Sequence, residues 1–201
     1  MNLPIKFSKE SRLPYFPIFV ISFVVGMLTM SIGKTVLLEN TGLLDEYTLY
    51  YMKQMSVDSN ALFSYVLRER IGEMVLIAIL STTYLGIVVC AGMTIWYGVA
   101  LGAFFATLFI RYGMKGLLLA LTSIFPQYIF YLPTIFVFFM WCEALNRSIY
   151  FNNTFAIGRG SGIEIAKKVV QLAIMIFVTI IGCGFEGYVN HHLVSGFLKI
   201  F

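Results

Sequence analysis

Two histidines, three cysteines and a few carboxylates near apolar runs are the side chains of this chain best suited to chemistry. His191 and His192 are neighbours, and on a helix adjacent side chains diverge by about 100°. They make a poor metal pair and read as interfacial residues of a tail. Cys90, Cys142 and Cys183 lie in or beside apolar runs without CxxC spacing, so they read as free buried thiols. Gly158-Arg-Gly-Ser-Gly162 has the look of a phosphate loop, but no strand precedes it and the GxxxxGK[ST] pattern is absent. It reads as a connector into a helix over 163–169, whose Glu164 sits in the first turn with Lys167 and Lys168 later, as the helix dipole favours. Glu143 and Glu186 fall at predicted span ends. With no HExxH, no GxSxG and no paired intramembrane aspartates, no catalytic constellation can be assembled, so the chain reads as a non-enzyme. No cofactor or metal is expected.

The elements that must carry these residues are membrane spans. Positions 74 to 110 hold no Asp, Glu, Lys or Arg. As one straight helix they would extend about 55 Å, against a hydrocarbon core of about 30 Å, so the run must fold back. Hydrophobic residues make up 59% of 201 and charged residues 12%, which leaves too little polar sequence for a soluble second domain. A single integral membrane domain over residues 1–201 follows. The net charge of +4 is dispersed, which fits a lipid surface and argues against nucleic acid.

The predicted fold class is all-α, a polytopic membrane helical bundle of about five spans. Lys6, Lys9 and Arg12 precede the first apolar run, 15–36, and put residues 1–14 in the cytoplasm. Residues 37–72 form an external segment. It is acidic through Glu39, Asp45, Glu46 and Asp58, with a helix starting at Asp58-Ser59-Asn60. Arg68 and Arg70 then stand outside, just before span two, with Glu69 and Glu73 to offset them. Spans two and three are expected over 74–91 and 93–110, turning near Gly92, although a re-entrant pair also fits. The fourth run, 117–141, is broken by Pro126 and Pro133. A cytoplasmic loop 143–168 leads to span five, 169–182, and to an external C-terminus within the bundle 73–201. Tyr84, Trp96, Tyr97, Tyr112 and Trp141 fall near the expected boundaries, as an interfacial belt requires.

Gly98, Gly102 and Ala106 stand four apart and form a small-residue face. It serves either packing within the chain or contact with a second protein; Ser22 and Gly26 make a weaker version in span one. Pro126, Gln127 and Pro133 shape the broken run, where the Gln127 amide should bond a neighbouring helix or a freed carbonyl.

The stretch 65–133 contains a YVLxxR segment at Tyr65–Arg70, the basic turn Gly113-Met-Lys-Gly116 and the motif Phe125-Pro-Gln-Tyr-Ile-Phe-Tyr-Leu-Pro133. In that order they resemble the stage II sporulation protein M family. The resemblance implies a membrane protein on the mother-cell side of the sporulation septum in an endospore-forming bacterium. There it is required for engulfment and localises the peptidoglycan-degrading stage II sporulation proteins P and D. Its expected associations are therefore membrane lipid, those two proteins and a second copy of itself. A membrane permease, or the membrane subunit of a transporter, is the alternative the broken helix leaves open.

Overall fold

The computed structural model describes residues 13–34, 44–54, 58–150 and 161–198. They are helical, with no strand among them. The helices are α1 (Tyr15–Ile32), α2 (Glu46–Gln54), α3 (Ser59–Ser81), α4 (Gly86–Ile124), α5 (Tyr128–Tyr150), α6 (Ser161–Gly184) and α7 (His191–Leu198). A π-helical turn, Phe185–Asn190, joins the last two. The cationic N-terminus, Glu39 and positions 158–160 lie outside the described residues.

Four helices are long and apolar enough to cross a membrane: α1, α4, α5 and the stretch Ala166–Phe197. The exception among the long helices is α3, which carries Arg68, Glu69, Arg70 and Glu73. It is nevertheless packed lengthwise in the same bundle. Asp58 starts it, accepting the Asn60 N–H at 3.0 Å. Its Phe63 lies against Gly187, its Met74 reaches Thr179, and its Ser81 end meets Asn146 of α5. These contacts make α3 and α5 parallel to each other and antiparallel to α4 and α6. Phe19 on Gly98 and Phe23 on Gly102 make α1 parallel to α4.

The chain turns at Thr82–Leu85, not near Gly92. Three successive hydroxyls explain the difference, because Ser81, Thr82 and Thr83 donate to the carbonyls of Ala78, Ile79 and Leu80 at 2.7, 2.7 and 2.6 Å. The Ile79 and Leu80 carbonyls also accept the Thr82 and Thr83 backbone N–H groups at 3.1 and 3.0 Å, a tightened last turn that closes the helix. Asn146 then donates to the Ser81 and Thr83 carbonyls at 2.9 and 2.6 Å, and Tyr150 to that of Thr82 at 2.9 Å. Gly92 sits exposed inside α4, where its helix cost is only about 1 kcal/mol.

The fourth run is also differently divided. Helix α4 continues past its expected end and reverses at Gly113, whose φ of 58° suits a residue without a Cβ. Gly116 then backs onto the Leu108 carbonyl so closely that a Cβ there would lie 1.9 Å from its oxygen. The returning segment ends at Ile124, and Phe125–Gln127 links it to α5. The expected break therefore falls at Pro126. Pro133 breaks nothing: α5 runs through it to Tyr150, well into the segment expected as loop, and α6 begins at Ser161, so the helix expected over 163–169 and the span expected from 169 are one helix.

Candidate functional site

One stripe of α3 faces the bundle: Val66, Arg70, Glu73 and Ile77, spaced i, i+4, i+7, i+11. Val66 and Ile77 are buried at its two ends, Val66 with Tyr131 and Cys183, Ile77 with Phe138 and Phe139. Between them the stripe presents a guanidinium and a carboxylate, each retaining 29% side-chain exposure and standing 3.8 Å apart. Arg70 lies about 16 Å of helix from the Ser81 end, so this pair sits along the length of the bundle, about three turns from that end.

Partners come from three other elements. Tyr97 of α4 donates its hydroxyl to Glu73 Oε1. Tyr131 of α5 holds its ring under Arg70, with the guanidinium carbon 5.1 Å from the ring centre, a cation–π contact. Its hydroxyl donates to Cys183 Sγ at 3.3 Å, and its ring is pressed on Gly182, where a Cβ would lie 2.5 Å from a ring carbon. Tyr128 and Glu186 complete the charge environment of Arg70. Glu186 comes from the π-helical turn, a widened winding often found at functional sites. Phe185 stacks on Phe130 at 5.0 Å, and Tyr188 donates to Asn60 Oδ1 at 2.7 Å, fixing that turn against α5 and α3.

The cluster opens sideways into a groove of about 640 Å³ between α3 and α4. Arg68, Glu69, Arg70, Glu73, Tyr97 and Glu186 supply its polar lining; Tyr65, Leu76 and Trp96 are among its apolar members. Two guanidinium groups and three carboxylates thus share one groove, and Arg70 lies among Glu73, Glu186 and two tyrosine rings. Such an arrangement has the donors and acceptors to bind and orient a polar group. Among the described residues no three His, Cys, Asp or Glu side chains are grouped to hold a metal.

A second polar centre ties the bundle at its opposite end. Glu143 is 2% exposed and accepts from Arg147 Nη2 at 2.7 Å, Arg147 Nε at 2.8 Å and the Leu13 N–H at 3.3 Å. The buried Tyr15 lies beside it. Glu143 therefore pins the start of α1 to α5.

The residues singled out from sequence fall in two other places. Gly98, Gly102 and Ala106 face α1 of the same chain. A Cβ on Gly98 would stand 2.7 Å from the Phe19 carbonyl oxygen and one on Gly102 2.0 Å from that of Phe23, while Ala106 packs on Met30. The α1 side of the seam is lined by Ser22 and Gly26, with a Gly26 Cβ 2.3 Å from the Val99 oxygen. Pro126 and Gln127 occupy the α4–α5 link. Gln127 is 3% exposed and donates Nε2 to the Ser123 carbonyl at 2.7 Å, while its Oε1 is buried without a partner among the described residues. Pro133 lies exposed on α5. The three cysteines are free and buried.

Sequence reasoning had Arg70, Glu73 and Glu186 as boundary residues. The signal that could have found the first two is their place on the Val66–Ile77 stripe. Nothing local could have found Glu186, more than 100 positions away in the chain.

A bundle with four helices able to span, and a fifth long helix carrying charge alongside them, defines a multi-pass helical membrane protein. The family model described as stage II sporulation protein M matches residues 15–190, and the chain belongs to that family. It is a sporulation-related membrane protein. Neither a curated protein nor a solved structure matches it.

Proposed function

We propose that this chain is a non-enzymatic membrane scaffold of endospore formation. In this reading it serves engulfment of the forespore by the mother cell, holding peptidoglycan-degrading enzymes at the septum. By family resemblance those are stage II sporulation proteins P and D. The observation that supports the reading is α2. This short helix is tethered to the bundle by Leu49, which packs with Leu108 and Leu119, and through the Tyr112 hydroxyl, which donates to the Leu44 carbonyl at 2.8 Å. It turns Tyr47, Tyr50 and Tyr51 outward, all more than half exposed. Tyrosine supplies large contact area and a polar tip at low entropic cost, and is enriched at protein interfaces. With the N-terminus in the cytoplasm, as its sequence favours, this end of the bundle faces the cell wall.

The test is purification of the tagged protein from crosslinked membranes of its sporulating host, followed by mass spectrometry. An amidase and a lytic transglycosylase are expected with the parent chain. A Tyr47, Tyr50, Tyr51→Ser triple variant at equal membrane abundance is expected to lose them at least tenfold. Undiminished recovery would remove α2 as the contact, and recovery of neither enzyme with the parent would remove the scaffold.

The Arg70–Glu73–Glu186 cluster favours a second reading, a permease or the membrane subunit of a transporter, because ionisable groups at membrane depth are costly and usually functional. Recovery of a cytoplasmic ATPase in the same purification would put that reading first.

A further inference from the structure

Arg68 and Glu69 are charged, exposed and set on the flank of a helix packed lengthwise against helices long and apolar enough to cross a membrane. Arg68 lies about 13 Å of helix from the Ser59 end and about 20 Å from the Ser81 end, so neither residue can be counted as an end group. Tyr65, Leu76 and Trp96 stand exposed around them, each by more than half. Among the described residues neither charge has an ion-pair partner, and adjacent positions on a helix do not face each other. Hydrocarbon cannot solvate them, so this flank requires a polar cover.

We infer that the cover is a second copy of this chain, docked across the α3–α4 groove so that Arg68 of each copy pairs with Glu69 of the other. Two copies in one membrane share a direction, and a two-fold axis along the membrane normal brings each residue level with itself. Opposite charges at consecutive positions differ in depth by only about 1.5 Å, so such a pair is self-complementary about that axis. An anionic lipid headgroup would satisfy Arg68 and leave Glu69 bare. A foreign helix with one cation would do the reverse. A second copy answers both charges, and the protruding Tyr65 and Trp96 give each copy something to set into the other's 640 Å³ groove. This self-association is independent of which enzymes the α2 end holds.

The experiment uses the full chain, co-expressed with two different tags and captured from membranes in mild detergent. Arg68→Glu makes the patch wholly acidic and Glu69→Arg makes it wholly basic; each is expected to reduce co-capture of like copies at least tenfold. The double swap, Arg68→Glu with Glu69→Arg, is expected to restore it, as is co-expression of the two single variants with each other. These rescues separate lost pairing from lost folding, since a misfolded chain regains nothing from a second charge reversal. In parallel, Leu76→Cys is expected to give an oxidative crosslink at twice the chain mass. The inference is overturned if the single variants associate like the parent, if neither rescue restores association, or if the Leu76→Cys variant crosslinks only to a different protein.

Discussion

Two sides of α4 show how one helix can be held by opposite means. Toward α1 it presents Gly98 and Gly102, and backbone meets backbone with no room for a Cβ. Toward α3 it presents Tyr97, whose hydroxyl reaches Glu73 in a cluster drawn from four elements. The first contact depends on shape, because in lipid apolar side chains gain little from leaving their surroundings and close dispersion contact does the work. The second depends on charge satisfaction, because a polar group buried without its partner loses solvation that nothing returns. Shape failures should therefore be all-or-none, and charge failures graded and rescuable.

The largest expected effect tests the first half of that contrast. Gly102→Leu forces a side chain into the Phe23 backbone and should separate α1 from α4, costing about 3 kcal/mol or more and abolishing a cooperative melt in detergent. Gly92→Leu is its control on the same helix, since nothing lies within 4 Å of a Cβ there. It should lose no stability and gain up to about 1 kcal/mol, the helix cost of the glycine it replaces. Equal losses at both positions would mean the seam is not tight.

Next in size is the charge cluster. Glu73→Gln keeps the shape, removes the charge facing Arg70 and weakens the Tyr97 bond, for an expected loss of about 1–3 kcal/mol. Tyr97→Phe alone should cost about 1 kcal/mol. The double variant should fall short of the sum by at least about 0.5 kcal/mol, because both changes break the same bond. Thermal unfolding in micelles measures all three. Simple additivity would show that the two groups do not act together.

What the sequence disclosed follows the same division. The seam was legible because Gly98, Gly102 and Ala106 repeat at helical spacing within one run, and Ser22 and Gly26 repeat in another. The apolar character of four of the helices, and the break at Pro126, were likewise written in local composition. The cluster was not legible, since charge in an apolar region reads as a boundary until the fold shows what surrounds it. Arg70 becomes interior only through Tyr131 and Glu186, 61 and 116 positions further along. The misplaced turn has a related cause: Gly92 is a conspicuous breaker, whereas Thr82–Leu85 is made a turn by hydroxyls and by the distant Asn146.

Gln127 tests where the two modes of holding meet. It is buried, yet its one bond goes to Ser123 in the preceding turn rather than across the bundle. The Ser123 carbonyl also accepts from Asn190 Nδ2 at 2.9 Å, so Gln127→Leu leaves that acceptor satisfied and removes an unpaired buried oxygen. The loss and the gain nearly offset, and the change in stability should stay within about 1 kcal/mol. A larger loss in membranes than in micelles would show that Oε1 is bonded by a neighbour present only in the assembled state.

The smallest effect lies at the water-exposed end, where charge satisfaction operates without burial. Asp45 precedes α2 and accepts from the Thr48 N–H and hydroxyl, both at 2.8 Å; these bonds hold its carboxyl below the ordinary carboxylate range. A group whose folded value is depressed contributes fully above its unfolded value, about 3.9, and loses that contribution as pH falls through the folded one. The start of α2 should therefore loosen only on acidification below about pH 4, seen as faster amide exchange at Thr48. Asp45→Asn should retain an acceptor for the cap while removing the pH dependence. The rest of the bundle should not respond, because Leu49 and the Tyr112 hydroxyl still tether the helix and neither depends on that carboxylate. Loosening that spread from Thr48 to Leu49 would mean that the cap, and not the apolar contact, fixes the tyrosine face of α2.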